Sequence, residues 1–313
     1  MRKFLVTLLA LLCSLSAFCD VRSQEVAVVG GDRRLGDYIH LLQGKRVGLL
    51  TDHTAVIDDT HIVDTLLKSG VEIKRIFTPD GGFYGDNAQA HRDSYLGVEI
   101  VILDQEPKAN DVFGCDVVVC DVRDEGVRWS PALQALVRIM QVCGDIGVPL
   151  VVLDSPNPFG DSVDGAIAES PFRGGGVLPL PLLYGMTLGE LSLMISGEGW
   201  LAGGAKVLLT VVPCLNYARR GEFTPEVLSR GLCVEVPIVE NGKISLSRVV
   251  SAYAERSSEE EFFVGEEFDV LMGVSYVREM ITYGYTAEEI ESVWRDDVAQ
   301  FIAEREEYLI YEN

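Results

Sequence analysis

Histidine is scarce in this sequence, and none of its cysteines forms a Cys-x-x-Cys pair. Only four histidines occur among the 313 residues. Zinc sites in proteins are built mostly from cysteine and histidine ligands at short, regular spacings. No zinc site can therefore be read from the sequence, and we predict neither a bound metal nor a cofactor.

Basic residues are also few. The chain has 26 lysines and arginines against 48 aspartates and glutamates, which gives a formal net charge of -22. A protein that binds nucleic acid needs a basic face to contact the phosphates. We therefore predict no nucleic-acid partner. The same imbalance argues against docking on an anionic lipid surface, although the net charge alone does not identify a substrate.

Long hydrophobic runs are absent beyond the N-terminus, where a membrane span would need about 20 consecutive apolar residues. The chain begins with Met1, Arg2 and Lys3, continues with an apolar run through Leu12, and then has small residues. A basic start followed by a short apolar core is typical of a secretory signal peptide. We predict a signal peptide over residues 1–22 and an exported, periplasmic or secreted protein with no membrane span.

Two common catalytic and cofactor-binding signatures are missing as well. The glycine-rich stretch at residues 30–36, Gly-Gly-Asp-Arg-Arg-Leu-Gly, does not have the Gly-x-Gly-x-x-Gly spacing of a dinucleotide-binding turn. Residues 51–54, Thr-Asp-His-Thr, offer no glycine-rich loop for phosphate after the first clear strand. No Gly-x-Ser-x-Gly elbow occurs, which argues against a serine hydrolase of the α/β type.

The sequence does contain short apolar runs rich in Val, Ile and Leu. They lie at residues 47–50, 73–77, 100–103, 117–120 and 150–153. Continuous apolar strands are typical of a parallel sheet that is buried on both faces. Helical patterns at residues 59–68 and 130–144 alternate with these runs. This alternation predicts an α/β fold, a Rossmann-like, doubly wound and mostly parallel sheet.

Helix signals continue toward the C-terminus, but the strand signal weakens. Thr187 with Glu190, and Thr286 with Glu289, have the spacing of a capping box at a helix start. Residues 244–256 and 267–281 also have helical patterns. We predict a Rossmann-like domain over residues 23–215 and a smaller C-terminal α+β subdomain over residues 216–313.

Acidic residues follow several of the predicted strands. In open parallel sheets, ligands bind outside the carboxyl ends of the strands, so these side chains are expected to share one edge. The expected group is Asp52, His53, Asp80, Asp121, Asp124, Glu125, Arg128 and Asp154. Two such carboxylates could cleave a glycosidic bond, or several could hold a hard cation for phosphoryl chemistry. They could equally cap helices and form ion pairs with arginines.

Five segments resemble the NamZ-like exo-N-acetylmuramidases of peptidoglycan recycling. Residues 42–54 resemble the opening strand and turn of that family, and residues 121–128, Asp-Val-Arg-Asp-Glu-Gly-Val-Arg, resemble its Asp-Ile-Gln-Asp-Val-Gly-Val-Arg motif. Residues 153–158, 184–191 and 308–311 match further family stretches in order. The resemblance implies a cleft between a Rossmann-like domain and a smaller domain. It also implies removal of N-acetylmuramic acid from the non-reducing end of peptidoglycan fragments.

The resemblance assigns roles to residues of this chain. The family carries Pro-Glu-His-Gly where residues 79–82 read Pro-Asp-Gly-Gly, so Asp80 takes the place of the proposed catalytic glutamate. We expect the partner carboxylate among Asp121, Asp124 and Glu125. Arg128 is expected to bind the lactyl carboxylate of the muramyl sugar. The remaining expected substrate-binding residues are Asp52, His53, Asp154 and Asn157.

Two departures from the family keep other functions open. Asp80 is one methylene shorter than glutamate, Gly81 replaces the histidine, and a long central segment of the family is missing after Pro213. The first alternative is a catalytically impaired glycan-binding or scaffold paralogue on the same fold. The second is a metal-dependent hydrolase. The expected partners remain peptidoglycan-derived muramyl sugars.

Overall fold

The computed structural model describes residues 27–79, 82–84, 97–103, 107–169, 178–219, 238–256 and 261–312. The predicted signal peptide and Asp80 lie outside these described residues. Within them, no helix has the length and apolar character that crossing a bilayer requires.

A six-stranded parallel sheet forms the centre of the protein. Its strands are β1 (Arg46–Thr51), β2 (Glu72–Thr78), β3 (Glu99–Ile102), β4 (Val117–Asp121), β5 (Leu150–Leu153) and β6 (Leu209–Val212). Their order across the sheet is β3-β2-β1-β4-β5-β6. This is the strand order of a doubly wound Rossmann sheet, and the order in which strands are added reverses between β1 and β4, although the strands themselves are parallel. The predicted fold class is therefore confirmed.

Helices cover both faces of the sheet. They are α1 (Leu35–Leu42), α2 (Ile62–Lys68), α3 (Ala109–Val112), α4 (Pro131–Ile146) and α5 (Leu188–Gly197). One apolar core lies between the sheet and α1 and α2, and it includes Tyr38 and Ile62. The other core lies on the opposite face and includes Leu136 and Leu191 from α4 and α5.

Helix α4 is longer than its sequence pattern indicates. We expected Gly144 to end it, but the helix continues to Ile146, and Gly147 closes it with a φ of 73°. A Cβ on Gly144 would lie 3.1 Å from the Cβ of Ala205. Gly144 therefore does not end the helix. It lies within α4, where its lack of a side chain allows Ala205 to pack closely against the helix.

The described part of the C-terminal region contains five helices: α6 (Ser247–Glu255), α7 (Glu267–Met272), α8 (Tyr276–Thr282), α9 (Ala287–Glu291) and α10 (Arg295–Arg305). The single helix expected over residues 267–281 is wrong, because Gly273 with a φ of 76° separates α7 from α8. The predicted capping boxes at Thr187 and at Thr286 are both formed.

A third apolar core joins this region to the rest of the chain. Phe268, Met272 and Trp294 pack in the same cluster as Leu182 and Leu183, which precede α5. Residues on both sides of position 215 therefore share one core, and the domain boundary at that position stays a prediction.

Short elements complete the fold. They are three antiparallel pairs of two-residue strands, at 56–57 with 60–61, 163–164 with 183–184, and 239–240 with 243–244, and three 3₁₀ turns at Gly31–Arg33, Ala202–Gly204 and Glu306–Tyr308.

Candidate functional site

Three polar side chains lie in a row at the carboxyl edge of the sheet. Thr78, Thr51 and Asp121 are the last residues of the neighbouring strands β2, β1 and β4. Thr51 is paired with Asp121, and Leu50 is paired with Phe77, so the three end positions are in register. Because side chains alternate along a strand, this row lies on the face that carries the α1 and α2 core.

The polar atoms of this row are buried and lack hydrogen-bond partners in the described part of the chain. Both carboxyl oxygens of Asp121 and the hydroxyl oxygens of Thr51 and Thr78 have no hydrogen bond within the described part of the chain. Buried polar groups in native proteins are almost always hydrogen-bonded to protein or to water. The row also spans the point where the strand order reverses, which is where doubly wound sheets bind ligands. Two independent features therefore mark the same place.

An ion pair between the half-buried Arg123 and the buried Asp32 lies beside the row. Arg123 donates a hydrogen bond of 2.8 Å to the Oδ2 of Asp32, and its other terminal nitrogen lies 3.6 Å from the Oδ1 of Asp121. Asp32 belongs to the turn before α1, and its carbonyl oxygen accepts a hydrogen bond of 3.1 Å from Tyr38. Arg123 therefore links the turn before α1 to the end of β4.

Burial gives Asp121 an unusual proton affinity. It raises the pKa of Asp121 to about 7, since the charged form is poorly solvated there. The positive charge of Arg123 opposes this shift, whereas the negative charges of Asp32 and Asp52 add to it. A carboxyl group that titrates near neutral pH can donate a proton, which is what a general acid must do.

Asp124 is the second buried acid of the β4 motif. Its Oδ2 accepts a hydrogen bond from the hydroxyl group of Tyr184. Burial raises the pKa of Asp124 to about 6, against the effect of that hydrogen bond. Glu125, the next residue, is exposed. The choice among Asp124, Glu125 and Asp121 for the two catalytic roles stays a prediction.

Asp52 and His53 follow β1 at the same edge. The Oδ1 of Asp52 accepts hydrogen bonds from the backbone nitrogen and the hydroxyl group of Thr54, at 2.8 and 2.6 Å. This contact closes the turn after the strand, and it does not cap a helix, since the next helix begins at Ile62 with His61 as its N-cap. His53 is exposed. Neither placement decides whether these two residues bind substrate.

Asp154 follows β5, but its carboxylate is fully used by the protein. It accepts hydrogen bonds from the Thr187 hydroxyl at 2.7 Å, the Gly189 nitrogen at 2.8 Å and the Tyr311 hydroxyl at 2.5 Å. Asn157 is similarly occupied, since its side chain donates to the Met186 carbonyl and accepts from the Phe159 nitrogen. These contacts favour structural roles over the substrate-binding roles expected for Asp154 and Asn157.

Arg128 is buried, and it does not lie at the surface of a cleft. Its guanidinium group donates to the carbonyl oxygens of Ala166, Leu180 and Leu271, at 2.8, 2.8 and 2.9 Å. Burial lowers the pKa of Arg128 to about 9. These bonds connect the loop before α5 to the end of α7, so the geometry favours a structural role over lactyl binding. The ion pair with Asp121 or Asp124, weighed as an alternative, is also not formed.

Sequence reasoning missed four residues of this site: Asp32, Thr51, Thr78 and Arg123. Arg123 stands where the family motif quoted above has Gln, so a departure within the best-preserved motif was the available signal. Asp80 lies outside the described residues, and its expected role stays a prediction. Among the described residues, no group of three or more His, Cys, Asp or Glu side chains could hold a metal ion.

Comparison with protein families places almost the whole described fold in one group. Residues 47–229 match the family model "Exo-beta-N-acetylmuramidase NamZ, N-terminal", and residues 234–311 match its C-terminal counterpart. The peptidoglycan beta-N-acetylmuramidase NamZ of Bacillus subtilis (strain 168) is 31% identical over 214 residues. That alignment covers 62% of this chain and 49% of the Bacillus protein, so the chain spans about half the length of this curated relative.

Two solved structures have a similar fold. A DUF1343 family protein from Bacteroides fragilis NCTC 9343 superposes with a TM-score of 0.79 at 27% identity, over 92% of this chain and 100% of that one. A second DUF1343 family protein from the same organism superposes with a TM-score of 0.76 over 91% of this chain and 99% of that one. At 22% identity, the second likeness shows the fold alone.

Proposed function

This chain belongs to the NamZ exo-beta-N-acetylmuramidase family, and we propose that it is an exo-acting glycoside hydrolase of peptidoglycan turnover. Its proposed substrates are peptidoglycan fragments with N-acetylmuramic acid at the non-reducing end. The Bacillus relative bears the name of this activity, but the alignment covers 49% of that protein, so activity and substrate are both proposals here.

The observation that carries the proposal is the buried carboxyl group of Asp121, which has no hydrogen-bond partner within the described residues. It lies at the reversal point of the sheet order, and its pKa near neutrality suits a proton donor. In glycoside hydrolysis, one carboxylic acid protonates the oxygen of the leaving group while a second carboxylate activates water or attacks the anomeric carbon. Asp121 takes the first role in this proposal.

The second carboxylate is assigned to Asp80, with Asp124 as the other choice. In the sequence, Asp80 comes two residues after Thr78, the last residue of β2. With Asp121 as acid, the proton goes to the departing alcohol, and the water that completes hydrolysis gives its proton to the second carboxylate. Atoms and protons then balance without a metal or a cofactor.

We also propose that the protein acts outside the cytoplasm. The support is the signal-peptide pattern over residues 1–22 in the sequence, together with a cell-wall substrate. Expression of the full chain followed by cell fractionation tests this location. Recovery of the uncleaved chain in the cytoplasm contradicts it.

The direct test is incubation of the purified chain with a chromogenic β-N-acetylmuramide. We expect release of the chromophore, and much slower release from the matched β-N-acetylglucosaminide, which lacks the lactyl group. Asp121→Asn should abolish most of the release while the protein stays folded. No release from either compound by the wild-type chain contradicts the hydrolase.

A non-catalytic glycan-binding paralogue is the second candidate. The observation in its favour is the pair Asp80 and Gly81, which replaces the Glu and His of the family motif. A displacement of a reacting group by about 1 Å can lower a rate roughly 100-fold. Binding of N-acetylmuramic acid without turnover is the outcome that favours this candidate.

A further inference from the structure

The row formed by Thr78, Thr51 and Asp121 has a spacing that leaves room for one small group between its members. Neighbouring strands lie about 4.8 Å apart, and side chains at registered positions stand roughly parallel to each other. That separation is too long for a direct hydrogen bond of about 2.8 Å. One oxygen placed between two such side chains can bond to both.

The chemistry of the row selects the kind of group. Threonine hydroxyls both donate and accept hydrogen bonds, and Asp121 does the same when it holds a proton. An anion is disfavoured, because the positive charge of Arg123 is already paired with Asp32 at 2.8 Å. A divalent cation is disfavoured as well, since it prefers several oxygen ligands with more than one carboxylate. A neutral hydroxyl group can bond to two neighbouring members of the row, either Thr51 with Thr78 or Thr51 with Asp121.

We propose that Thr51, Thr78 and Asp121 form a subsite for hydroxyl groups, each held between two neighbouring members of the row and supplied either by a water molecule or by a sugar. The proposal does not depend on turnover, since a glycan-binding protein needs such a subsite as much as a hydrolase does. It assigns the two threonines as ligand-contacting residues at the reversal point of the sheet. It also gives each hydrogen-bonding side chain of the row a partner.

The first experiment detects the occupant in the wild-type chain. Threonine methyl groups are labelled with ¹³C, and magnetisation transfer from long-lived water is measured at Thr51 and Thr78. Thr187 is a matched control, because it is also buried but its hydroxyl group is bonded to Asp154 at 2.7 Å. We expect water contacts at Thr51 and Thr78 and none at Thr187.

Addition of N-acetylmuramic acid then distinguishes the two sources of the hydroxyl group. If a sugar hydroxyl enters the subsite, the water contacts disappear and contacts to sugar protons replace them. If an internal water molecule belongs to the fold, the water contacts persist while sugar is bound. Absence of both water and sugar contacts at the two threonines overturns the proposal.

A second experiment uses Thr51→Val and Thr78→Val, which remove each hydroxyl group and keep the side-chain shape. If the subsite is occupied, each change should lower the Tm by about 2–4 °C, because the bound hydroxyl loses a partner. The double variant should lose less than the sum, since both threonines contact one group. Thr51→Val combined with Thr286→Val, on the distant helix α9, should be additive. An unchanged or raised Tm in both single variants overturns the proposal, because removal of an unsatisfied hydroxyl is neutral or stabilising.

Discussion

Asp121 and Asp154 are two aspartates with the same sequence signal and different surroundings. Asp121 is the last residue of the buried strand β4, Asp154 directly follows the buried strand β5, and both are fully buried. Burial raises the pKa of Asp121 to about 7 and that of Asp154 to about 6. Asp154 accepts three hydrogen bonds, whereas neither oxygen of Asp121 accepts one within the described residues, where its Oδ1 has Arg123 at 3.6 Å.

The difference comes from the later segments of the chain that contact the end of each strand. Helix α5 begins over β5, and its Gly189 nitrogen reaches Asp154 because that position has no side chain; a Cβ there would lie 2.7 Å from the carboxylate. The C-terminal tail adds the hydroxyl group of Tyr311. A strand-end aspartate is therefore a candidate for catalysis only where no helix start or tail uses its oxygens.

The largest expected effect is on turnover. Asp121→Asn removes the proton donor and nearly preserves the side-chain shape, so the kcat on a chromogenic β-N-acetylmuramide should fall about 100- to 10,000-fold. The matched change Asp154→Asn should lower activity only as far as it lowers the folded fraction at the assay temperature. If the two variants lose kcat equally while both remain folded, the distinction between the two aspartates fails.

The next effect is on stability, and here the change at Asp154 is expected to have the larger effect of the two aspartates. Asp154→Ala leaves Thr187, Gly189 and Tyr311 without their acceptor, so the free energy of unfolding should fall by about 3–5 kcal/mol. Tyr311→Phe removes one of the three bonds and should cost about 1 kcal/mol. Urea denaturation followed by circular dichroism measures both values. Asp121→Ala should cost less than Asp154→Ala, and an equal cost contradicts the comparison.

The fold itself could be predicted from the sequence, because a strand that is buried on both faces consists of consecutive apolar residues. The strand ends, and with them Asp121 and Asp154, followed from those runs. The different roles of the two aspartates could not be predicted from these runs. It depends on contacts with Gly189 and Tyr311, which lie 35 and 157 residues beyond Asp154.

The role of Arg128 could not be predicted for the same reason. Its three acceptors are the backbone carbonyl groups of Ala166, Leu180 and Leu271. Every residue type has such a carbonyl group, so the sequence does not indicate which ones accept a hydrogen bond from Arg128. The pairing of Arg123 with Asp32 spans 91 residues. Only local patterns, such as the capping boxes at Thr187 and Thr286, carried over from sequence to structure without change.

A smaller effect is the pH dependence of stability at Asp121. Burial raises its folded pKa from 3.8 to about 7, so the protonated form stabilises the protein below pH 4 and that stabilisation is lost as the pH rises toward 7. Asp121→Asn cannot ionise and should lose nothing over this range. The Tm of the variant relative to the wild type should therefore increase between pH 4 and pH 7. A constant difference indicates that Asp121 is not perturbed.

The smallest expected effect concerns Arg123, and it tests whether the surroundings of Asp121 set its acidity. The positive charge of Arg123 lowers the pKa of Asp121, against the larger effect of burial. Arg123→Gln removes that charge and leaves Asp32 unpaired, so the pKa of Asp121 should move upward. If Asp121 is the general acid, activity is lost as the pH rises through its pKa, and the alkaline midpoint of the kcat profile should move upward with it.

Two controls separate this electrostatic role from a structural one. Arg123→Lys keeps the charge and should hold the alkaline midpoint close to that of the wild type, even if the hydrogen bond to Asp32 is weakened. Arg33→Gln removes an arginine from the same turn as Asp32, but its partner Asp58 is exposed, so it should leave the midpoint unchanged. If Arg123→Gln lowers the Tm and leaves the midpoint where it was, Arg123 only fastens the turn before α1 to β4. The acidity of Asp121 would then come from burial alone, and its difference from Asp154 would lie entirely in the hydrogen bonds that Asp154 receives.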